Sequence, residues 1–497
     1  MPTTNVDLGF YHALLARDPD AAGVRAQLAT ALLAAGDIEP AIVEADRALA
    51  ADPLLLPARL ARAEARRRLL RSAEAAQDLE FAARLAPGRA PILHALGTTY
   101  AELDRLDAAE ECLRRAAALA PGDANVLASL GSVRARRGRH APAEAASRAA
   151  LALAPDLREA HQNLAFLLAA TSPEAARGHR DTAYRHQQVF IEPAVRAERR
   201  VLVPTTAMDG NVPLRHLFPQ TRTTLIRWYV EYARPDQDHA LPPFDLVFNA
   251  IGDPDRVPEL PQAAARLFAA PPCPLLNPLE RVARTGRADL PRLLAGIPGV
   301  VVPEVQRTAT ATPAAAALLP ALIRPVGAHG GAGARRVATA DELAAALAVT
   351  GPAYVTRFVE TRDRDGWYRK YRAIFVDRVP HAYHLAIAPH WLVHYWTAGM
   401  EQDAARRAEE ARFLADPAAV LGVAGTAALA AIGARLDLDF AGIDFARLPD
   451  GRLLVFEANA TMLVHPEDDP LLAYRNPAVA RILVAFEAML ARYLAAA

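Results

Sequence analysis

The sequence predicts a multidomain protein in which an all-α repeat array is followed by an α/β region and an α+β region. Three observations support this prediction. Prolines recur every 34 residues in the first third, and short β-branched segments alternate with helical ones in the rest. The last strands form an apolar hairpin pattern that carries acidic residues. A length of 497 residues allows three or four domains of ordinary size.

The first third contains a strict internal repeat. Small residues at a fixed phase let two helices of each unit pack closely, and a proline ends the second helix of each unit. The columns are Pro19, Pro53, Pro87, Pro121 and Pro155; Ala41, Ala75, Ala109 and Ala143; Ala48, Ala82, Ala116 and Ala150; and Ala29, Ala63, Gly97, Gly131 and Ala165. The pattern resembles the tetratricopeptide repeat family over about residues 10–170, with four full units and a final first helix. It predicts a repeat domain over residues 1–175.

The resemblance implies a concave groove, which in such arrays commonly holds a peptide or protein segment. Recruitment of a peptide or protein substrate is therefore one expected role. The other is a scaffold that stiffens the rest of the chain or forms a homodimer. Asn125, Ser129 and Asn163 on the first helices are candidates for the groove. Residues 176–200 are charged and predicted to form a helical linker.

Composition limits the class of partner. The 56 basic and 56 acidic residues balance, so no net field favours nucleic acid or an anionic membrane. Cys112 and Cys273 form neither a disulfide framework nor a metal motif. We expect no apolar stretch of about 18 residues and no secretion signal, which predicts a cytoplasmic protein without membrane contact. Lys370 is the only lysine, so arginine can occupy positions where other proteins use lysine.

Residues 201–300 are predicted to form a small doubly wound α/β domain, because strand-like segments alternate with helical ones. Asn249 and Asp253 follow the strand-like "FDLVF". Ligands usually bind beyond the carboxyl ends of such strands, which makes both residues candidate substrate contacts. A polar turn after the strand explains them equally well.

A glycine-rich segment follows a strand that contains Arg324. Gly327, Gly330 and Gly331 allow backbone amides to approach phosphate oxygens, and Arg324 could reach the same phosphate. The segment lacks the ending of a P-loop and opens no helix, so Walker and dinucleotide-binding chemistry do not fit. A second strand and a helix begun by Thr339 or Asp341 should follow.

Two adjacent strands around the turn at Asp377 carry basic residues and histidines. Lys370 and Arg372 share one strand face and Arg369 lies opposite, which indicates a basic strip at a site or a solvated face. Four histidines follow within fourteen residues, but their spacing matches no standard zinc motif. They are His381, His384, His390 and His394. His384 is the candidate substrate contact.

The final hairpin carries three oxygen-bearing side chains. Pro449, Asp450 and Gly451 predict the turn, and Glu457 and Asn459 share a strand face to which the hairpin returns Asp444. Carboxylate and amide oxygens suit Mg²⁺. A solvated edge hairpin is the alternative interpretation.

In their order along the chain, these parts resemble the ATP-grasp superfamily of carboxylate–amine ligases over about residues 200–490. The resemblance implies a pre-ATP-grasp domain over 201–300 and an ATP-grasp domain over 301–497. It assigns Mg²⁺ to Asp444, Glu457 and Asn459. It assigns ATP to Arg324 and the glycine-rich segment, adenine to the backbone near Arg357 and Phe358, and ribose to Glu360. Arg324 stands where the family usually has lysine, and Lys370 where it often has aspartate.

The function implied by this resemblance is amide or peptide bond formation with ATP and Mg²⁺. A substrate carboxylate attacks the γ-phosphate, and an amine then displaces phosphate from the acyl phosphate. Arg372, Arg324 and Lys370 are the candidate catalytic residues. The substrates could be a small acid and amine in place of a peptide or protein. The alternatives are an ATP-grasp kinase or phosphotransferase, and a non-catalytic repeat adaptor with an ATP-binding module.

Overall fold

The computed structural model describes residues 8–208, 210–256, 260–328, 331, 333–467 and 469–496. The chain divides into two compact units, Met1–Gln188 and Val189–Ala497. The described part of the first unit consists of α-helices joined by short turns. They are α1 Leu8–Arg17, α2 Ala22–Ala35, α3 Ile38–Ala51, α4 Leu56–Arg68, α5 Ser72–Leu85, α6 Ala90–Glu102, α7 Leu106–Leu119, α8 Ala124–Arg136, α9 His140–Leu153, α10 Arg158–Leu167 and α11 Pro173–Tyr184.

The helices follow the 34-residue period of the sequence. The second helix of each pair ends two residues before a repeat proline, as α3 does before Pro53 and α5 before Pro87. The small columns are buried between paired helices. A Cβ on Gly97 would lie 2.7 Å from Leu113 Cγ, and one on Gly131 would lie 2.5 Å from Ser147 Oγ. The predicted roles of the prolines and of the small residues are confirmed.

The repeat array ends later than predicted. The final first helix, α10, packs against α11, which buries Ala176, Ala183 and Tyr184. The predicted helix over 176–200 is therefore present only as far as Tyr184, and the chain then enters a strand, Val189–Glu192. The segment is rich in charged residues, but Ala183 and Tyr184 follow Ala176 by seven and eight positions. This spacing places all three on one side of a helix.

Two of the candidate groove residues make contacts within the array. Ser129 Oγ lies 2.9 Å from His94 Nε2, and Asn163 Nδ2 donates to the Ala128 carbonyl at 2.9 Å. Each of these bonds spans 35 residues and so joins neighbouring repeats. Ser129 and Asn163 therefore help to set the stacking of the repeats.

The second unit is mixed α and β. Its strands are β1 Val189–Glu192, β2 Arg199–Thr205, β3 Thr223–Tyr229, β4 Leu246–Phe248, β5 Leu275–Leu276, β6 Val300–Val301, β7 Val305–Thr308, β8 Ala321–Pro325, β9 Arg335–Val337, β10 Ala353–Arg357, β11 Tyr368–Val376, β12 Val379–Ala388, β13 Phe440–Arg447 and β14 Leu453–Asn459. Its α-helices are α12 Gln262–Ala269, α13 Leu279–Ala283, α14 Leu290–Leu293, α15 Pro313–Ala316, α16 Ala340–Thr350, α17 Ala404–Ala415, α18 Pro417–Leu436 and α19 Asn476–Ala495.

Three sheets organise this unit. The first has the order β1-β3-β2-β4-β5, with β1 antiparallel and the other pairings parallel. Parallel strands were predicted here, but the described residues between β2 and β3 contain no α-helix, so the winding is incomplete. The second sheet is antiparallel, in the order β7-β10-β8-β9. The third has the order β12-β11-β13-β14-β6, with only β6 parallel to its neighbour.

The glycine-rich segment lies between β8 and β9, and α16 follows as predicted. Thr339 is the N-cap of α16, and it forms a capping box with Glu342, in which each side chain bonds the other residue's backbone. Such reciprocal capping satisfies amides that have no partner at a helix start. The predicted strand, loop, strand and helix are therefore all present around this segment.

The two predicted regions of the second unit share a hydrophobic core. The Phe486 ring of α19 lies 5.3 Å from Phe218, 5.9 Å from Phe248 and 5.8 Å from Phe440. The first two belong to residues 201–300 and the third to residues 301–497. The predicted boundary at residue 300 therefore does not divide the core.

Within the described residues, α18 is the one helix long and apolar enough to cross a membrane by length and composition. The expectation that no apolar stretch reaches about 18 residues is therefore wrong. Leu421, Leu429 and Ile432 of this helix are buried in a core cluster that includes residues of the third sheet. Packing against the sheet accounts for this apolar face.

Candidate functional site

The final hairpin brings its two carboxylates together as predicted. Asp444 on β13 lies directly opposite Glu457 on β14, and Gly442 lies opposite Asn459. The register then shifts, because Phe445 pairs with Val455 and leaves Phe456 as an extra residue. Such a bulge breaks the alternation of a strand. Phe456 and Glu457 consequently line the same cavity.

Two cations hold the Asp444 carboxylate. Arg372 donates from Nε to Oδ1 at 2.6 Å and from Nη2 to Oδ2 at 2.8 Å, and Lys370 Nζ lies 3.0 Å from Oδ2. Arg369 bonds Glu409 at 2.6 Å, although it also lines the cavity that Lys370 and Arg372 line. Lys370 and Arg372 therefore share a partner as predicted, while Arg369 has a different one.

Two further cations hold Glu457. Arg287 Nη2 donates to Oε2 at 2.5 Å, and Arg324 Nη1 donates to the same oxygen at 3.3 Å. Arg287 lies in the turn between α13 and α14 and was not among the predicted site residues. The only signal was a basic residue after Gly286 in a polar turn, and many surface residues share that feature.

The electrostatics of the site favour ionised carboxylates. Burial raises the pKa of Asp444, but Arg372 and Lys370 outweigh it and hold that pKa well below its usual range. Burial likewise opposes ionisation of Glu457, yet Arg287 and Arg324 lower its pKa to about 2. Burial and the neighbouring Arg287 lower the pKa of Arg324. Four cations around two carboxylates leave excess positive charge, so the site is suited to an anionic ligand.

These side chains line a cavity of about 180 Å³ between the second and third sheets. The glycine-rich segment borders it through Gly331, where a Cβ would lie 3.2 Å from Leu392 Cδ1. A smaller cavity of about 30 Å³ is lined by Asp253, Gly327 and Asn459, among others. Arg287 and Glu457 line both cavities. Gly330, also predicted to bind ATP, lies outside the described residues.

An aromatic surface borders the larger cavity. Phe358 and Trp391 meet edge to face with ring centroids 6.2 Å apart, and the Arg336 guanidinium lies 4.1 Å from the Phe358 centroid. The backbone amides of Arg357 and Phe358 donate to the carbonyls of Glu304 and Pro320. These two amides, in the region predicted to hold adenine, are therefore already hydrogen-bonded within the protein.

Three predicted site residues line neither cavity. Asn249 is fully buried and bonds Ile251 and Asn277, because its strand ends inside the core. Glu360 accepts hydrogen bonds from the amides of Thr361 and Arg362. The Arg357 side chain reaches the larger cavity, but its guanidinium pairs with Glu304 at 2.7 Å.

The third of these residues, His384, is buried beside the cavity. It is 3% exposed, and its ring packs against Tyr395 with centroids 4.8 Å apart. Burial and the nearby Arg372 hold its pKa well below the usual value, so the imidazole is neutral. His394 does line the larger cavity. Within the described chain, no group of three or more His, Cys, Asp or Glu side chains could hold a metal ion.

Comparison with known proteins identifies the first unit. A tetratricopeptide-repeat family model matches residues 90–123, which contain α6 and α7. The N-terminal unit therefore contains tetratricopeptide repeats. No curated protein matches the chain significantly.

Solved repeat structures resemble part of the chain. YrrB, described as a tetratricopeptide repeat protein with an unusual peptide-binding site, is 22% identical, covering 36% of this chain and 92% of its own, with a TM-score of 0.32. MamA from Desulfovibrio magneticus RS-1 is 19% identical over 34% of this chain and 97% of its own, with a TM-score of 0.32. PilF from Pseudomonas aeruginosa is 24% identical over 33% of this chain and 76% of its own, with a TM-score of 0.31.

Proposed function

We propose that the second unit is an ATP-dependent ligase of the ATP-grasp type, which activates a carboxylate and joins it to an amine. The observation that supports this most is the arrangement around the final hairpin. Asp444 and Glu457 are opposed in register, held by four cations, and face a cavity bordered by a glycine-rich segment. Carboxylates of this kind, with converging cations, are what phosphoryl transfer requires of a protein.

The residues fit a Mg²⁺ ion chemically. Asp444, Glu457 and Asn459 supply the hard oxygen ligands that this ion prefers. Oε1 of Glu457 accepts no hydrogen bond from the described part of the chain, whereas Asn459 Oδ1 accepts from Thr461. Both oxygens of Asp444 are held by Arg372 and Lys370, so metal binding requires an exchange of partners. When bound, Mg²⁺ would neutralise phosphate charge.

The cations would hold the phosphates of ATP. Arg324 was predicted for this role, whereas Arg372 and Lys370 were predicted as catalytic residues. Arg287 lines the cavity together with all three. Arginine presents a planar fork to phosphate oxygens and so binds them bidentately. Gly327 and Gly331 of the glycine-rich segment border the two cavities, and their amides would contact the same phosphates.

The chemistry then follows from positioning. The substrate carboxylate attacks the γ-phosphate, its oxygen forms the new bond to phosphorus, and ADP leaves. The amine attacks the acyl carbon, loses a proton and expels phosphate. Arg372 stabilises the transferring phosphoryl group, and the glycine-rich segment excludes water that would hydrolyse the acyl phosphate. Phe358 and Trp391 border the cavity edge to face, and the Trp391 ring would offer an aromatic face to adenine.

The repeats would recruit a peptide or protein substrate. Tetratricopeptide repeats commonly bind such segments, and YrrB is described as having a peptide-binding site. A small acid and amine would need no such array. We therefore favour a peptide or protein as the carboxylate or amine substrate.

The test is ADP formation by the full chain with Mg²⁺-ATP and candidate acids and amines. Asp444→Asn or Glu457→Gln should lower the rate by about a hundredfold or more, because each removes a metal ligand and charge stabilisation of the transition state. Asp450→Asn, in the exposed turn of the same hairpin, is the matched control and should keep full activity. Normal turnover by both site variants would show that the metal assignment is wrong. ADP release that needs an acid but no amine would indicate a phosphotransferase.

A further inference from the structure

Four side chains form a row across four neighbouring strands of the third sheet. His384 on β12 lies opposite Arg372 on β11, Arg372 lies opposite Asp444 on β13, and Asp444 lies opposite Glu457 on β14. Opposed residues of an antiparallel sheet project to one face with Cβ atoms about 5 Å apart. His384 is therefore the neighbour of Arg372 on the side away from Asp444.

Strand irregularities mark both ends of this row. The register between β11 and β12 shifts between Arg372 and Ala373, which leaves Tyr383 as an extra residue. At the other end, Phe456 is the extra residue of β14. Bulges re-aim side chains and are over-represented next to active sites. The backbone thus departs from regular pairing where the row begins and where it ends.

His384 is placed by the packing of its ring against neighbouring rings, and the ring contains a buried nitrogen that has no hydrogen-bond partner among the described residues. Nδ1 is buried and has no partner in the described part of the chain. The ring rests on Tyr395, whose hydroxyl donates to Glu410 at 3.1 Å. Leaving a buried polar atom unsatisfied costs about 1–3 kcal/mol, so a second state in which the nitrogen is bonded would offset that cost. A neutral imidazole has one nitrogen that accepts a hydrogen bond.

Arg372 needs a second partner if the proposed site is loaded. In this structure Nε and Nη2 of Arg372 both bond Asp444, which is also the proposed Mg²⁺ ligand. When that carboxylate turns to the metal, the guanidinium loses both bonds. The polar side chain next to it along the row, on the other side, is His384.

We propose that His384 is a positioning residue for Arg372, and that its imidazole accepts a hydrogen bond from the guanidinium once Asp444 turns to Mg²⁺. This inference rests on the proposed function. It replaces the predicted substrate contact with a role beside Arg372, outside the cavity lining. The guanidinium would stay aimed at the phosphates while Asp444 is occupied by the metal.

Two substitutions at His384 separate positioning from packing. His384→Phe keeps the ring volume against Tyr395 and removes the polar nitrogens, whereas His384→Gln keeps a polar side chain and loses the ring. Calorimetry on the full chain should show Mg²⁺-ATP binding weakened about tenfold by His384→Phe, the effect of one lost hydrogen bond, and less than about threefold by His384→Gln. ATP without metal should bind equally well to the wild type and both variants, because Asp444 then stays hydrogen-bonded to Arg372.

The single lysine provides a spectroscopic measurement that needs no nucleotide. Lys370 Nζ lies 3.0 Å from Asp444 Oδ2, so ¹³Cε-lysine labelling gives one side-chain NMR signal beside the row. Titration with Mg²⁺ alone should shift this signal in the wild type, with a midpoint about tenfold higher in His384→Phe. Tyr474→Phe is the matched control. It removes a hydroxyl that donates to Glu410 at 2.6 Å, and it should lower stability without changing the Lys370 midpoint.

Other results would overturn the inference. The inference is wrong if His384→Phe binds Mg²⁺-ATP as tightly as the wild type. It is also wrong if His384→Gln binds Mg²⁺-ATP more weakly than His384→Phe, which is the order expected if the ring acts only by packing. A Lys370 signal that does not respond to Mg²⁺ would also overturn it. If the wild type binds no nucleotide but its Lys370 signal responds to Mg²⁺ with the shifted midpoint in His384→Phe, the proposed function fails and the positioning role stands.

Discussion

At the scale of single residues, the site depends on geometry that arginine and lysine provide differently. Arg372 grips Asp444 with two parallel bonds, whereas Lys370 contacts one oxygen of the same carboxylate. The planar guanidinium of arginine fixes the direction of its hydrogen bonds as well as supplying charge, whereas the ammonium group of lysine acts as a point charge. The two residues therefore have different roles although they neighbour the same carboxylate.

Arg372→Lys should accordingly lower kcat more than it raises the KM for ATP, by about tenfold or more, because a contact made in the transition state is lost while the charge remains. Steady-state ADP formation measures both constants. Arg447→Lys is the matched control, since Arg447 is exposed at the end of β13 and lines neither cavity. A lysine variant at position 372 with unchanged kcat would make Arg372 a general source of positive charge.

The lowered pKa of Glu457 predicts the pH dependence of its contribution to stability. The ionised carboxylate stabilises the fold above its ordinary value of 4.5, and this contribution is lost as the pH falls toward about 2. The difference in melting temperature between wild type and Glu457→Gln should therefore be largest near neutral pH and shrink below about pH 4.5. Tryptophan fluorescence reports on the second unit alone, because Trp228, Trp367, Trp391 and Trp396 all follow residue 188. A difference that does not vary with pH would contradict the assignment.

At the scale of elements, close approach of paired helices limits what the repeats tolerate. A Cβ on Gly97 of α6 would lie 2.7 Å from Leu113 Cγ of α7, so a larger residue fits only if the side chain or a helix shifts. Gly97→Leu should destabilise the array by about 1–3 kcal/mol, since overpacking forces side chains and backbone apart. Urea unfolding followed by far-UV circular dichroism measures this. Gly122→Ala, with nothing within 4 Å of its added Cβ, should change stability little. Equal midpoints for both variants would show that the helix pair can move apart.

At the scale of the whole molecule, the two compact units should be separable after Gln188. Residues 189–497 should bind Mg²⁺-ATP about as tightly as the full chain does, because every residue of the proposed site lies in that unit. The fragment should show a raised KM for the native substrate, since tethering to the repeats supplies an effective concentration that is commonly millimolar for short linkers.

Kinetics of the fragment and light scattering decide between the two roles of the repeats. An unchanged KM, together with a dimeric full-length chain and a monomeric fragment, would favour dimerisation. A helical circular dichroism spectrum for residues 1–188 should accompany either result, because each repeat contacts only its neighbours. Loss of helix in that fragment would contradict the division into two units.

Local patterns in the sequence were sufficient for much of this protein. The 34-residue period predicted the helix pairs, Pro449 to Gly451 predicted the last hairpin, and Thr339 was one of two residues predicted to begin α16. The alternation of strand residues predicted that Lys370 and Arg372 share a face. These features follow from helix period, strand period and turn chemistry, which act over a few residues at a time.

Tertiary structure alone decided the rest. Arg287 meets Glu457 across 170 positions, and neither residue carries a local sign of the other. Asn249 and His384 were predicted to contact substrate, yet packing of distant elements buries both. The Phe456 bulge and the pairing of α10 with α11 likewise depend on which surfaces meet. Burial and charge pairing are properties of neighbours in space, and the chain brings those neighbours together only when its cores pack.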